Sequence, residues 1–442
     1  MSSDALLLIF LASATLLVVA VRWSPVAPTG VAVGLLIGAA LVATIADWQG
    51  MLAVMGVVLV LFGADALLAR GAVRGQRVMA STLPRAYPAE MELRIERDAP
   101  GRMMVRQPRV GDVLMEHLDA RHGFTTTVRP NRRGVFRIPP AWVRATGPFE
   151  LAAWRYPTET ESQLRVMPDL PRVERIRKAV RVNTFRDPSE RRRGPLGLGT
   201  EFELVRDYVP DDDIRQVNWR ATARTGRAMS NQYRLEQDRD VVCLVDMGRL
   251  MASSIGDASR LDLAVDAVTA LSRIGDDMGD RVGFLAFDTA IRRDVRPRRR
   301  SFDAVLNRVF DLEASDLDSD FELAFRAVGH RKRALVVVFT DIQDEAASRS
   351  LVDAVGYLTR RHMVVIASAH DPSLLPKAPV DRSHLSHMDE ARMLVLEHLA
   401  AERARVVARL SGSGAHIIDS PPDTFVEACV GQYLWAKRNA RL

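Results

Sequence analysis

The chain divides by its pattern of apolar and polar positions before any single residue draws attention. Ala5 to Val21 carries no charge, and Thr29 to Ile45 and Met51 to Gly63 continue the apolar character, broken by Asp47-Trp48-Gln49-Gly50. A membrane span needs about 20 apolar residues, so residues 1–70 predict a transmembrane helical region of two or three spans. The arginines flanking it, Arg22, Arg70, Arg74 and Arg77, fall on one side if there are three spans. The positive-inside rule then places the remainder of the chain in the cytoplasm, beneath an inner (plasma) membrane.

From Pro88 to Met167 the pattern changes to short runs such as MELRIER, FTTTVRP and GVFRIPPAWVRA, many of them alternating and separated by Gly, Pro and Asp. Period-two alternation with regular turns predicts a small antiparallel β-sandwich over 71–168. A charged linker and motif segment follows over 169–239, including Arg191-Arg192-Arg193 ahead of Gly194-Pro195.

Over 240–442 the continuous apolar runs DVVCLVD, RVGFLAFD, RALVVVFTD and HMVVIASAHD alternate with helical periodicity. In the first helical stretch Leu261, Val265, Val268, Leu271 and Ile274 recur at spacings of three and four, which places them on one helix face. Apolar strands alternating with helices predict an α/β fold, a doubly wound parallel sheet covered on both faces.

Composition narrows the chemistry. Net charge is +6 over 442 residues, carried almost entirely by arginine. So modest an excess fits proximity to anionic membrane lipid and does not call for nucleic acid. The two cysteines, Cys243 and Cys429, lie in an apolar run and a helical stretch and read as core residues, not as a disulfide framework. No Gly-x-Ser-x-Gly elbow is present. His384 and His387 have His-x-x-His spacing, but no second ligand pair matches them.

In parallel sheets, ligands bind beyond the carboxyl ends of the strands. Three strands here end in Asp246, Asp288 and Asp341. They either cap the following elements or converge on a hard cation.

Together with the first strand and its Asp, RVGFLAFD and VVVFTD resemble a von Willebrand factor A domain. The preceding EFELVRDYVPDDDIRQVNWRATAR resembles the signature of domain-of-unknown-function family fifty-eight, matched here by Glu201-Phe202, Arg206, Tyr208, Asp212-Asp213, Arg215, Trp219 and Ala223-Arg224. Asp211 replaces the glycine usual before the two aspartates. RRGVFRIPP and GPFEL carry the resemblance into the β-domain.

The resemblance implies a membrane-anchored A-type module and, as partners, a MoxR-type AAA+ ATPase and a client protein. It also implies a degenerate metal site of Asp246, Ser319 and Asp341. Both serines of the Asp-x-Ser-x-Ser element are replaced in Asp246-Met247-Gly248-Arg249-Leu250, and Arg249 adds a positive charge there. The expectation is therefore no cofactor, with Mg²⁺ as the alternative, and Arg249 paired with Asp246 or Asp341.

Two functions remain open. One is a non-enzymatic adaptor or assembly factor; the other is a divalent-metal-dependent hydrolase working at the strand ends. Around Trp219, Arg215 and the two aspartates form either an internal clamp or a docking surface.

Overall fold

The structure, a computed structural model, describes residues 26–43, 48–158, 161–182, 201–209, 214–234, 238–343, 345–346, 348–374 and 386–439. Ala5 to Val21, Arg191–Arg193, Asp212, Asp213 and His384 lie outside these residues. The chain forms two compact units, Met1–Val166 and Met167–Leu442.

In the first unit, the strands of the region expected to be one β-sandwich are distributed over three sheets of five, four and three strands. Their register is antiparallel wherever it is defined. Alternation sets the burial, as in Ala89–Arg97, where Met91 and Leu93 point inward between exposed or half-buried neighbours. The five-stranded sheet also takes in Val26–Pro28, paired with Ala152–Pro157, from the region read as membrane-spanning.

That reading is corrected. Among the described residues, no helix is long and apolar enough to cross a membrane. The helix Gly30–Ala43 has 14 residues and a length of about 21 Å, against a hydrocarbon layer of about 30 Å. The helix Trp48–Ala69 is tied to the β-sheet by its last two turns. Asp65, fully buried, accepts the backbone N–H groups of Phe149, Leu151 and Ala152, each at 2.8 Å. Trp154 Nε1 donates to the carbonyl of Ala66 at 2.7 Å, and Arg97 Nη2 to that of Ala69 at 2.8 Å. The stretch ahead of Asp65 spans about 25 Å.

The second unit holds a six-stranded sheet in the order Ile291–Arg298, Arg281–Phe287, Asp240–Asp246, Leu335–Phe339, Met363–Ala369, His416–Ser420. The last five run parallel. Ile291–Arg298 is antiparallel to its neighbour, so the sheet is mixed. The all-parallel expectation fails because RVGFLAFD turns straight back into IRRDVRPR as a hairpin, before the helix Phe302–Val309 begins. This edge strand carries Arg292, Arg293, Arg296, Arg298 and Pro297, and its side chains are exposed or half-buried throughout.

Strand alternation divides the core in two. Val241, Cys243 and Val245 face one cluster with Val265, Val268, Leu271 and Phe425, while Val242 and Leu244 face another with Phe325, Val355 and Leu410. Burial pushes the Cys243 thiol up to about 12, which keeps it an inert core residue. The helix Arg260–Asp277 starts on a capping box: Ser259 Oγ accepts the Asp262 N–H, and Asp262 accepts that of Ser259, each at 3.0 Å. These reciprocal bonds satisfy two first-turn amides and fix the helix against the strand ends.

Candidate functional site

The strand order reverses between Asp240–Asp246 and Leu335–Phe339, the position where an open α/β sheet leaves a crevice. Asp246 ends one of these strands, and Thr340-Asp341 follows the other. Asp246 is buried. Its Oδ1 accepts the Gly248 N–H at 2.7 Å and the Ser319 hydroxyl, and its Oδ2 accepts the Thr340 hydroxyl at 2.6 Å. Burial pushes the Asp246 carboxyl above its ordinary range, the hydrogen bonds from Ser319, Thr340 and Gly248 oppose that shift, and the charge of Asp341 adds to it.

Asp341, also buried, takes a different set of partners. Its Oδ1 lies 3.1 Å from Arg260 Nε and 3.6 Å from Arg403 Nη1, and accepts the Ser368 hydroxyl at 3.3 Å. Its Oδ2 accepts from Gln343 Nε2 at 2.8 Å. Arg403 continues to Asp419 through Nε at 3.0 Å and Nη2 at 2.9 Å, and His370 Nδ1 lies 2.8 Å from the same carboxylate. Burial works against ionisation of Asp419, but the hydrogen bonds and charges of Arg403 and His370 outweigh it and hold this carboxyl below its usual range.

Arg249 does not pair with Asp246 or Asp341. It meets Asp318 at 2.6 Å on the surface; Arg260 and Arg403 take the position expected of it. Asp288 stays outside the cluster, bonded to the Ala290 N–H at 3.0 Å and to Arg292 Nε at 2.8 Å.

Thus Asp246 and Ser319 come together as the sequence predicted, with Asp341 on the neighbouring strand end, while Thr340, Arg260 and Arg403 complete the site unforeseen. Thr340 is adjacent to Asp341 in the chain and was legible as the hydroxyl of Phe-Thr-Asp. Arg403, in the helix His387–Gly412, has no spacing relation to the strands.

Carboxylates and hydroxyls are the donors a hard cation prefers. Here, however, one carboxylate is directed at two guanidinium groups, and the hydroxyls at Asp246 donate their protons to it. Among the described residues, no group of three or more His, Cys, Asp or Glu side chains is placed to hold a metal ion. The residues present do not fit a divalent ion, because a third cation would have to share Asp341 with Arg260 and Arg403.

Burial and the neighbouring charge of Asp341 disfavour the Asp246 carboxylate more than its hydrogen bonds favour it, so the fold gains little from that charge. Asp246→Asn is therefore expected to raise Tm by a few degrees at pH 7, measured by thermal unfolding. A carboxyl whose folded pKa is raised contributes stability that is fully present below its unfolded value and lost as pH rises through the folded one. The advantage of asparagine therefore shrinks as pH falls toward the ordinary carboxylate range. A lower Tm at pH 7 would show that the fold needs the charge.

The signature segment folds as a separate feature. Glu201–Asp207 pairs antiparallel with Met229–Arg234, Arg206 opposite Ser230, with a register shift between Phe202 and Leu204. Arg206 and Tyr208 are half-buried on this ribbon, and the Tyr208 N–H bonds the Ala228 carbonyl at 2.9 Å. The helix Trp219–Thr225 is capped by Asn218, whose Oδ1 accepts the Ala221 N–H at 2.9 Å, and closed by Gly226 at φ 70°. Its inward contact is the small Ala221, so Trp219 at its first position is left 70% exposed. Arg220 and Arg224 are exposed beside it. The side chains of Glu201 and Arg215 lie outside what the structure describes.

Uncharacterized proteins of Mycobacterium tuberculosis (strain H37Rv) and Mycobacterium bovis are each 23% identical over 263 residues, covering 56% of this chain and 82% of theirs. Among solved structures, the Deinococcus radiodurans RO (RSR) protein matches with a TM-score of 0.22 at 9% identity, over 46% of this chain and 36% of its own. An uncharacterized membrane spanning protein from Vibrio fischeri matches with a TM-score of 0.18 at 12% identity, over 45% of this chain and 98% of its own. Residues 204–408, which hold the strand-end carboxylates and the signature from Arg206 to Arg224, match the family described as "Protein of unknown function DUF58".

Proposed function

We propose that the chain is a non-enzymatic adaptor that binds other proteins through the unit Met167–Leu442. The partner implied by the resemblance to domain-of-unknown-function family fifty-eight is a MoxR-type AAA+ ATPase acting on a client protein. The observation that carries the reading is the exposed Trp219 with the exposed Arg220 and Arg224 on the same short helix. Tryptophan and arginine dominate binding hot spots because a large rigid ring buries much area while guanidinium groups pair with the rim of the partner. The hydrolase reading loses support at the strand ends, where Asp341 is held by two guanidinium groups.

The test is cross-linking of the intact protein in its own cells, followed by identification of what is captured. Trp219→Ala is expected to weaken capture of the ATPase by about 30-fold, the size of a hot-spot loss, and to change folding stability by less than about 0.5 kcal/mol. Undiminished capture by the folded variant would refute this surface.

A further inference from the structure

The five-stranded sheet of the unit Met1–Val166 has a face that neither the strand-end cluster nor the signature segment uses. Met103, Val105, Val143 and Ala145 are buried in the core, so alternation along their strands turns Arg102, Met104 and Arg144 outward, where all three are exposed. In the register of the sheet, Arg144 lies opposite Met104 on one side and Arg155 on the other. Ala120 lies opposite Val105, so Arg121, the next residue, extends the same row. Residues directly opposite each other share a face, and like charges so placed are destabilising. Arg121, Arg144 and Arg155 have no carboxylate partner among the described residues.

The row borders a pocket of about 430 Å³. Arg102, Arg121 and Arg144 line it against the carboxylate of Glu150, which Arg102 meets at 2.5 Å. With His122 neutral, three arginines less one glutamate leave the lining a net charge of +2. Its apolar wall is Met104, 53% exposed, and Val31, 48% exposed at the start of the helix Gly30–Ala43. Leu35, four residues on and also exposed, continues the Val31 face of that helix. The helix start adds partial positive charge, since its first amides have no intrahelical acceptor. Free phosphate would use the arginines and leave the apolar wall in water. A phosphodiester carrying acyl chains uses both, the charge through guanidinium hydrogen bonds and the chains through burial of apolar surface.

We infer that this pocket takes the phosphate of an anionic phospholipid on Arg121 and Arg144, with its acyl chains along Val31 and Leu35. Contact with one leaflet suffices for this, so no spanning helix is required. The site goes beyond the adaptor reading and does not depend on it.

The test is flotation of the full chain with vesicles of phosphatidylcholine alone and of phosphatidylcholine mixed equally with phosphatidylglycerol. Binding to the mixed vesicles is expected to be at least about tenfold tighter. Arg121→Gln combined with Arg144→Gln should weaken that binding by about 30-fold, with Tm unchanged or raised because a like-charged pair is relieved. Arg137→Gln combined with Arg165→Gln removes the same charge from a different sheet of this unit and should weaken it by no more than about threefold. Equal binding to the two kinds of vesicle, or equal losses in the two double variants, overturns the inference. Binding of inorganic phosphate that depends on Arg121 and Arg144, without preference for the mixed vesicles, overturns the lipid assignment.

Discussion

Replacing Asp280 by alanine is expected to destabilise the unit Met167–Leu442 by about 3–5 kcal/mol, the loss seen when one partner of a buried ion pair is removed. Asp280 is fully buried and Lys437 is 1% exposed. Lys437 Nζ lies 2.6 Å from Asp280 Oδ2, the Tyr433 hydroxyl donates to the same oxygen at 2.5 Å, and the Arg239 N–H reaches Oδ1 at 3.2 Å. The alanine variant leaves an ammonium group in the core with no carboxylate to neutralise it. Because Tyr433 and Lys437 belong to the helix Pro422–Arg438, that helix is expected to loosen first.

The check is urea unfolding of Asp280→Ala, Lys437→Met and the double variant. The double variant should be more stable than Asp280→Ala alone, since removing both charges removes the uncompensated one. A loss below about 1 kcal/mol in Asp280→Ala would mean that the pair is not coupled in this way. Burial, with the adjacent Asp280 charge, also holds the Tyr433 phenol well above its ordinary value. Its contribution is therefore fully present below the unfolded tyrosine value of about 10 and is lost as pH rises beyond it.

The second large effect belongs to Asp65. Its carboxylate accepts three backbone N–H groups, from Phe149, Leu151 and Ala152, so Asp65→Ala leaves three amides without an acceptor. At about 1–3 kcal/mol for each unsatisfied buried group, a loss of roughly 3 kcal/mol or more is expected. Asp65→Asn keeps one acceptor oxygen and should fall between. Gly147→Ala attacks the same contact sterically, because a Cβ there would lie 2.1 Å from Asp65 Oδ1. Amide hydrogen exchange reads the result directly: the Leu151 and Ala152 amides should lose protection in Asp65→Ala, and unchanged protection would refute the assignment.

Asp65 also shows where sequence reading stopped. Hydropathy counts it as a charge ending an apolar segment, and the surrounding pattern reads as a membrane helix. Nothing local reveals that three amides more than eighty residues away converge on it. The runs from Asp240, Arg281, Leu335 and Met363 were legible as strands because burial on both faces demands unbroken apolar sequence. The hairpin strand Ile291–Arg298 was not, since its arginines and proline mask its weak alternation. At the site, Asp246 and Asp341 were legible from their places at the strand ends, and Ser319 only through the resemblance to an A domain. The guanidinium groups that set the chemistry of Asp341 come from two helices, and only the folded chain brings them there.

The masked strand has a consequence for behaviour in solution. An unpaired sheet edge is a template on which a second molecule can add its own strand, and proteins obstruct such edges with charge and proline. Ile291–Arg298 lines this border of the sheet with Arg292, Arg293, Arg296 and Arg298 and interrupts its donors at Pro297. Two copies meeting there would bring together eight arginines against two aspartates, a net positive charge of three from each strand. The hairpin acts as a guard against edge-to-edge aggregation of a sheet whose four inner strands are apolar throughout most of their length.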